Sequence, residues 1–409
     1  MTETKIEPQP WMTSRKTAAV LDALAAGGIG VRFVGGCVRD AVIGRKIADI
    51  DLATDARPER VMELLKAAGL KVIPTGLAHG TVTAVSGGTP YEITTLRHDV
   101  ETDGRRAVVA FTDDWEADAA RRDFTMNALS LGADGLLHDP FGGIADLRAG
   151  RVRFVGDPRQ RLAEDVLRLL RYFRFHAHYG RPPPDEDALA ACREMAHMLP
   201  RLSAERVRVE LLKLLSAPDP APVIRLMRDE GVLDHFLAQA TAIDRLDRMV
   251  AIESGLGLCN SLRRLAALLP VDGETARHLA QGLRLSNSER ERLVAMSEPE
   301  IALSTALDGP SRRRALYMVG AEVWPDLVLM AWAAGHDGPD NAAWQSLFNE
   351  TRDWERPKFP LGGRDVKKLG VDQGAAVGEL LRAAEAWWIE GDFRADRREC
   401  LAWLARQAG

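Results

Sequence analysis

The spacing of apolar residues along the 409-residue chain changes character once, near residue 160. Before that point, short apolar runs alternate with helical stretches. Residues 12–27 are rich in Ala and Leu at helical spacing and stop at Gly27-Gly28, as helices commonly do at glycine. Gly30 to Val34 predicts a strand that breaks at Gly35-Gly36, and Cys37 to Gly44 then alternates apolar and charged positions as one or two helical turns would. Ile47 to Leu52 reads as the next strand, and Arg57-Pro58-Glu59 opens a helix that runs to Ala68. Val72 to Val85 alternates, Tyr91 to Arg97 is an aromatic-led, β-branched strand, and the charge-dense stretch from Arg97 to Val108 reads as a mobile loop.

The turn formers in His138-Asp-Pro-Phe-Gly-Gly143 place a boundary near residues 140–150. Beyond about 160 the period is helical throughout, with apolar patterns at 222–238, 241–269, 274–283, 287–308, 311–334, 341–350 and 375–406. The predicted class is therefore α+β: a head with a mixed sheet and helices over 1–147, a helical neck over 148–240, and a helical body and tail over 241–409.

Composition adds constraints. An apolar content of 46% with 28% charged residues is that of a globular protein with a sizeable core. No apolar run approaches bilayer length, and the polar start Met1 to Pro10 is expected to be neither a signal nor a transit peptide, so a cytoplasmic location without membrane partners is expected. Cysteines 37, 192, 259 and 400 are scattered and suggest neither a zinc site nor a disulfide framework. The net charge of −5 argues against non-specific coating of nucleic acid, yet nine arginines against three acids between Arg148 and Arg181 form a local basic surface.

Candidate chemistry starts at Gly35-Gly36. Two glycines at a strand-to-helix turn let backbone approach a ligand closely, the N–H groups of the next turn make an anion site, and Arg39 adds a forked cation for phosphate. Asp49 and Asp51, two apart on a strand, would project from one face and could hold divalent cations against a triphosphate. Each part alone has a plainer reading, a simple turn or a solvated strand edge. Glu92 is the candidate third acid, to complete the cage or to accept the proton of an attacking hydroxyl, and it serves equally well in a cross-strand ion pair. Along the helix from Arg161 to Arg174, steps of three turn by about 300°. Asp165, Arg168 and Arg171 would then form a slowly winding ridge from which Arg174 has drifted. Such a ridge can be simple i, i+3 pairing, or a protein template that matches the donors and acceptors of a base.

Taken in order, strand, Gly-Gly, Arg-Asp and a strand with Asp-x-Asp resemble the signature of the nucleotidyltransferase superfamily that includes DNA polymerase β. In detail, Gly35-Gly36-Cys37-Val38-Arg39-Asp40 and Asp49-Ile-Asp-Leu-Ala-Thr54 are similar to class II tRNA nucleotidyltransferases and bacterial poly(A) polymerases. The resemblance extends to Arg121-Arg-Asp-Phe-Thr-Met-Asn-Ala128, to Glu164-Asp-x-x-Arg168, to the helix opened by Leu202-Ser203, and to Lys358 to Gly370. It implies a polymerase β-like head followed by an all-α neck, body and tail.

By the same resemblance, Asp49 and Asp51 hold Mg²⁺, while Gly36, Arg39 and Arg122 grip phosphates and ribose. Asp123 and Asn127 order the site, and Asp103, Gly104, Arg105 and Arg106 belong to a flexible loop that switches nucleotides. Asp165 and Arg168 recognise ATP and CTP, Arg171 and Arg174 serve phosphates or hold the helix, and Arg206 with Glu210 stabilises the neck. The expected activity is template-independent addition of CCA to the 3′ end of tRNA from CTP and ATP. A poly(A) polymerase with the same head, or a catalytically silent RNA-binding protein on the same scaffold, are the alternatives.

Overall fold

In a computed structural model that describes residues 4–103, 106–371 and 374–408, the chain forms two compact units, Met1–Ala238 and Gln239–Gly409. The strands of the first are β1 (Thr4–Lys5), β2 (Val31–Val34), β3 (Asp51–Thr54), β4 (Lys71–Gly76), β5 (Thr81–Ser86), β6 (Thr89–Thr95), β7 (Arg97–Asp103), β8 (Arg106–Phe111), β9 (Ser130–Leu131) and β10 (Leu136–His138). Its helices are α1 (Pro10–Thr13), α2 (Arg15–Ala25), α3 (Gly36–Val42), α4 (Pro58–Ala67), α5 (Trp115–Ala120), α6 (Gly143–Ala149), α7 (Pro158–Glu164), α8 (Leu167–Tyr179), α9 (Glu186–Met195), α10 (Ala204–Leu215) and α11 (Ala221–Asp229). The α+β class expected from the sequence is what forms.

Eight strands make one mixed sheet in the order β1-β10-β9-β2-β3-β6-β5-β4, with β3 and β6 parallel and β2 antiparallel to β3. The period of two assigns the faces. Phe33 on β2 meets Trp11 of α1 edge to face at 4.8 Å, and the Tyr91 hydroxyl on β6 shares a hydrogen bond of 3.1 Å with Thr17 of α2. Leu52 lies in register with Phe33, and Ile93 with Leu52, so these apolar side chains share the helix-covered face and are fully buried. Asp51 and Glu92, one residue out of phase with them, are left on the opposite face.

Four local expectations are corrected. The strand read over Ile47 to Leu52 begins only at Asp51. Its neighbour β2 ends at Val34 and turns into α3, so residues 47–50 have no such ladder partner, and Asp49 stands before the strand, exposed. The stretch read as a loop over 97–108 is a two-stranded hairpin of β7 and β8, paired from Arg97↔Phe111 to Asp103↔Arg106. Gly104 and Arg105 lie outside the described residues, and only the backbone of Asp103 and Arg106 is described.

The helix read through 161–174 is two helices, broken where Asp165 adopts an extended backbone (φ −155°, ψ 104°). Its carboxylate there accepts the Leu167 N–H at 3.1 Å, a local side-chain bond that competes with helix continuation. Finally, Ser203, by residue type a good cap for the helix it opens, occupies the N-cap of α10 but makes no side-chain capping bond.

The second unit is helical throughout its described residues, from Ile243–Gly255 to Arg397–Ala408. Trp324 and Trp332 are buried in it, and a tail cluster is built around Tyr317, Val366, Trp388, Cys400 and Leu404. The seven tryptophans between Trp324 and Trp403 are all buried or half-buried, as packing anchors, Trp387 and Trp403 stacking on each other at 5.5 Å. Among the described residues no helix is long and apolar enough to cross a membrane.

A buried ion network ties this unit together. Glu253 accepts from Arg263 at 2.6 Å and from Arg264 at 2.7 Å, and Asp326 accepts from Arg263 at 2.8 Å and from Arg292 at 2.9 Å. Removing one partner of such a pair strands the other charge away from water. Glu253→Ala is expected to cost the unit roughly 3–5 kcal/mol, read as a lowered urea midpoint, whereas truncating the exposed pair Arg60–Glu63 should leave the midpoint unchanged.

Candidate active site

The turn between β2 and α3 is held open by Gly35, whose φ of 70° and ψ of −129° suit glycine. A Cβ there would stand 3.4 Å from Arg122 Nη1 and 3.9 Å from an Asp51 carboxylate oxygen, so the backbone passes close to both. The glycine pair thus exposes the first N–H groups of α3 to the space above the sheet. Arg39, in the next turn, is fixed before any ligand arrives. Its Nε and Nη2 donate to the two oxygens of Asp40 at 3.0 Å each, its Nη1 donates to Asn127 Oδ1 at 2.9 Å, and its guanidinium lies over Tyr179 at 4.3 Å and over Phe175 at 5.3 Å. The Tyr179 hydroxyl in turn donates to Asp40 Oδ1 at 3.0 Å.

The acids stand beside this turn. Asp51 and Glu92 are direct neighbours across the parallel pair β3 and β6. Burial pushes the Asp51 carboxyl up to about 6, the charges of Glu92 and Asp49 add to the rise, and Arg122 opposes it. Two carboxylates side by side on one face, one of them half-buried, form a hard-oxygen donor set that suits a divalent cation. Among the described residues no three His, Cys, Asp or Glu side chains form a ready-made metal cage. That is the usual situation for Mg²⁺, which is commonly held by one or two carboxylates together with substrate phosphates and water. Asp49 acts on Asp51 through its charge but does not line the cleft.

The stretch from Arg121 to Asn127 supplies the next wall. Arg121 Nε and Arg122 Nη2 both donate to Asp118 of α5, at 2.9 Å and 3.2 Å. Burial works against the charged form of Asp118, but these two guanidiniums and the N–H of Arg97 outweigh it and hold the carboxyl below its usual range. Asp123 is also buried. It accepts from the Phe124 N–H and from Asn127 Nδ2, each at 2.9 Å, and from Arg171 Nε at 2.7 Å, which together overcome desolvation and keep it ionised well into acid.

Asp165 sits at the corner between α7 and α8, where its carboxylate meets Arg206 Nη2 of α10 at 2.6 Å. Arg168, the second residue of α8, bonds Glu164 and donates to the carbonyl of Arg161 at 2.9 Å. Arg206 and Glu210 therefore brace the neck by reaching across to α7 and α8 rather than to each other. Glu210 forms an ion pair with Arg174 at 2.9 Å and stands 3.7 Å from Arg171.

A cleft of about 550 Å³ gathers these groups, with Gly36, Arg39, Asp51, Glu92, Arg122, Asp165, Arg168 and Arg171 on its walls. Asp49 and Arg174 are absent from its lining, Arg174 being turned to Glu210 and to the Phe175 ring at 4.7 Å. The cleft also holds Thr94, Phe175 and Arg206, to which sequence reasoning gave no part in a ligand site. An aromatic residue among the arginines of one helix was the available signal for Phe175. Nothing in the order of residues announced that Arg206 would meet Asp165.

The poly A polymerase head domain family matches residues 31–153, and the family described as the probable RNA and SrmB-binding site of polymerase A matches residues 184–243. Human mitochondrial CCA tRNA nucleotidyltransferase 1 is 34% identical over 387 residues, covering 92% of this chain and 86% of the relative. This chain belongs to the CCA-adding tRNA nucleotidyltransferases. The CCA-adding enzyme of Limosilactobacillus fermentum is 32% identical over 93% of this chain and 94% of its own. Among solved structures, the Bacillus stearothermophilus CCA-adding enzyme in complex with CTP superposes with a TM-score of 0.82 at 28% identity, over 98% of each chain. As a member of this family the chain is a nucleotidyltransferase.

The two kinds of carboxylate in this family member titrate in opposite directions, which gives a test. Asp123 is depressed when folded, so it contributes stability that is present above the unfolded carboxylate value and lost as pH falls through the folded one. Asp51 is raised to about 6, so folding takes up a proton there and its ionised form weighs against the fold at higher pH. In a chelator, Asp51→Asn is expected to melt higher than the parent at pH 8, with the gap closing near pH 4, while Asp123→Asn melts lower at pH 8 and loses less on acidification. Melting curves across that range check both signs.

Proposed function

We propose that this chain builds the CCA end of tRNA, transferring CMP and AMP from CTP and ATP with no nucleic-acid template, and that Asp165 with Arg168 takes the template's place. The observation that carries this reading is the meeting, in one cleft, of the Asp51–Glu92 pair, the Gly35-Gly36 turn with Arg39, and a carboxylate and guanidinium from the α7–α8 corner. The relatives' names supply the substrate class, and the similar Bacillus stearothermophilus enzyme was solved with CTP.

In the reaction, the 3′-oxygen of the RNA attacks the α-phosphorus of the nucleotide. A new P–O bond forms, the bond to the bridging oxygen breaks, and pyrophosphate leaves. The N–H groups after Gly35, with Arg39 and Arg122, hold the triphosphate in line and take up its charge, so most of the rate comes from positioning and electrostatics. Glu92, on the exposed edge of the acid pair, accepts the proton of the 3′-hydroxyl.

Asp51 with Glu92 would hold a divalent ion, Mg²⁺ by the hardness of its oxygen donors, with Asp49 adding negative charge. Bound there, it supplies acidity to the hydroxyl and charge neutralisation to the phosphates. The Asp165 carboxylate accepts from the exocyclic amino group of cytosine or adenine, and Arg168 donates to ring acceptors. Uracil and guanine offer an oxygen where that amino group should be, leaving the carboxylate facing an acceptor.

With purified protein, Mg²⁺ and a tRNA transcript lacking its last three nucleotides, CTP alone should add two residues and CTP with ATP three. A long A-tail from ATP alone would instead favour poly(A) synthesis. Asp51→Ala is expected to abolish incorporation, by several orders of magnitude, while leaving tRNA retention on a gel nearly unchanged. Arg168→Ala should admit UTP and GTP, and an unchanged nucleotide profile would refute the protein template.

A further inference from the structure

Arg161 is buried at 7% exposure, lies outside the cleft, and belongs to none of the groups that grip or read a nucleotide in the proposed reading. Its bonds nevertheless run to both halves of the site. One end of the guanidinium, Nη2, donates to two consecutive carbonyls, those of Arg121 and of Arg122, the latter at 2.7 Å. The other nitrogen, Nη1, donates to Glu164 Oε2, and the same carboxylate oxygen receives Arg168 Nη1. Arg168 Nη1 also donates to the main-chain carbonyl of Arg161 at 2.9 Å. Arg168 is thus held twice by one residue, directly through its backbone and indirectly through its side chain.

We propose that Arg161 is a positioning residue that sets the distance between the base reader Arg168 and the nucleotide-gripping Arg122, and through that distance sets base selectivity. The inference rests on the roles proposed above for those two arginines. Its physical basis is the corner at Asp165. Because α7 and α8 are separate helices, the helix hydrogen-bond ladder does not fix Arg168 relative to α7, and the Asp123–Arg171 bond, which ties α8 to the segment that carries Arg122, does not hold Arg168 itself. A buried fork that takes two carbonyls with one nitrogen and a carboxylate with another does so, since shifting either side by a fraction of an ångström breaks a charge-assisted bond away from water.

Removing the fork also changes Glu164. The carboxylate is now shared between two guanidiniums, and without Arg161 it belongs wholly to Arg168, holding that side chain more tightly away from an incoming base. Lysine cannot replace the fork, because a single ammonium on a flexible stem does not span the same three acceptors in one plane.

The test compares Arg161→Lys and Arg161→Met with the parent and with Arg168→Ala, measuring kcat and KM for CTP, ATP and UTP on the same truncated tRNA, with circular dichroism and melting curves for each protein. The expected result is a folded Arg161→Lys protein whose preference for CTP over UTP, as the ratio of kcat/KM values, falls by roughly tenfold, with a larger fall in Arg161→Met. Equal losses on CTP and UTP, leaving the ratio intact, would reduce Arg161 to a packing residue and overturn the proposal, as would an unchanged ratio in a folded Met variant. Should neither Arg161 variant fold, Glu164→Gln decides: it keeps Arg161 and weakens the link to Arg168, so selectivity should again fall, and an unchanged ratio overturns the proposal. If Arg168→Ala itself keeps the parent's selectivity, the base-reading assignment has failed. If only Arg168→Ala loses it, the coupling alone has failed.

Discussion

The bond between Asp123 and Arg171 joins the two parts of the first unit that have to agree. Asp123 follows the arginine pair that borders the sheet's open face, and Arg171 lies in the middle of the helix whose start would read the base. A fully buried carboxylate is costly unless nearly every lone pair is met. Here the acid is met by a main-chain N–H, an amide and a guanidinium, so its charge is retained and the geometry around it is over-determined. Asn127, which donates to Asp123, also accepts from Arg39, so the same acid indirectly sets the arginine beside the Gly35 turn. Displacing α8 would break bonds on both sides at once.

Against this neutralised background the Asp51–Glu92 pair is conspicuous for being left unbalanced. Most acids around the cleft have a committed cation: Asp40 has Arg39, Asp118 has two arginines, Asp123 has Arg171, Asp165 has Arg206. Among the described residues, Asp51 has the field of Arg122 set against burial and two like charges. A fold that satisfies most of its local carboxylates among the described residues, while burial and like charges raise Asp51, carries a destabilising feature at the place where, in the proposed reading, a cation and a triphosphate would relieve it. In that reading, stability and activity pull on Asp51 in opposite directions.

How much of this was legible in the chain varies with the range of the interaction involved. The Gly35-Gly36 turn, the helix after it and the strand at Tyr91 were readable because their causes are local, glycine backbone freedom and the period of side chains. The extent of β3 was not, because where a strand begins depends on where its neighbour is, and β2 turns away at Gly35. The hairpin of β7 and β8 was hidden by its charges, which mark a loop only when no partner strand follows. The break at Asp165 was missed for a subtler reason: the apolar period continues unchanged through it, while a single carboxylate bonding to the N–H two residues on reverses the backbone locally. Which acid would meet Arg206, and that Arg174 would turn away from the cleft to Glu210, are long-range facts that spacing along one helix does not carry.

The bonds already made by the proposed base-reading pair, Asp165 and Arg168, bear on selectivity. Asp165 is already engaged by Arg206 and Arg168 by Glu164, so a nucleotide entering the cleft exchanges existing bonds for new ones. Only a base that presents a donor to the carboxylate and an acceptor to the guanidinium together returns what it displaces. One that supplies half of the match leaves a charged group short of a partner in a partly desolvated cleft, at a cost set by the lost bond and not by the contact it fails to make. A protein template of two residues, as proposed, would discriminate on this basis because both residues are already well bonded: wrong bases would be opposed by the salt bridges they have to break, and right ones admitted because they replace them.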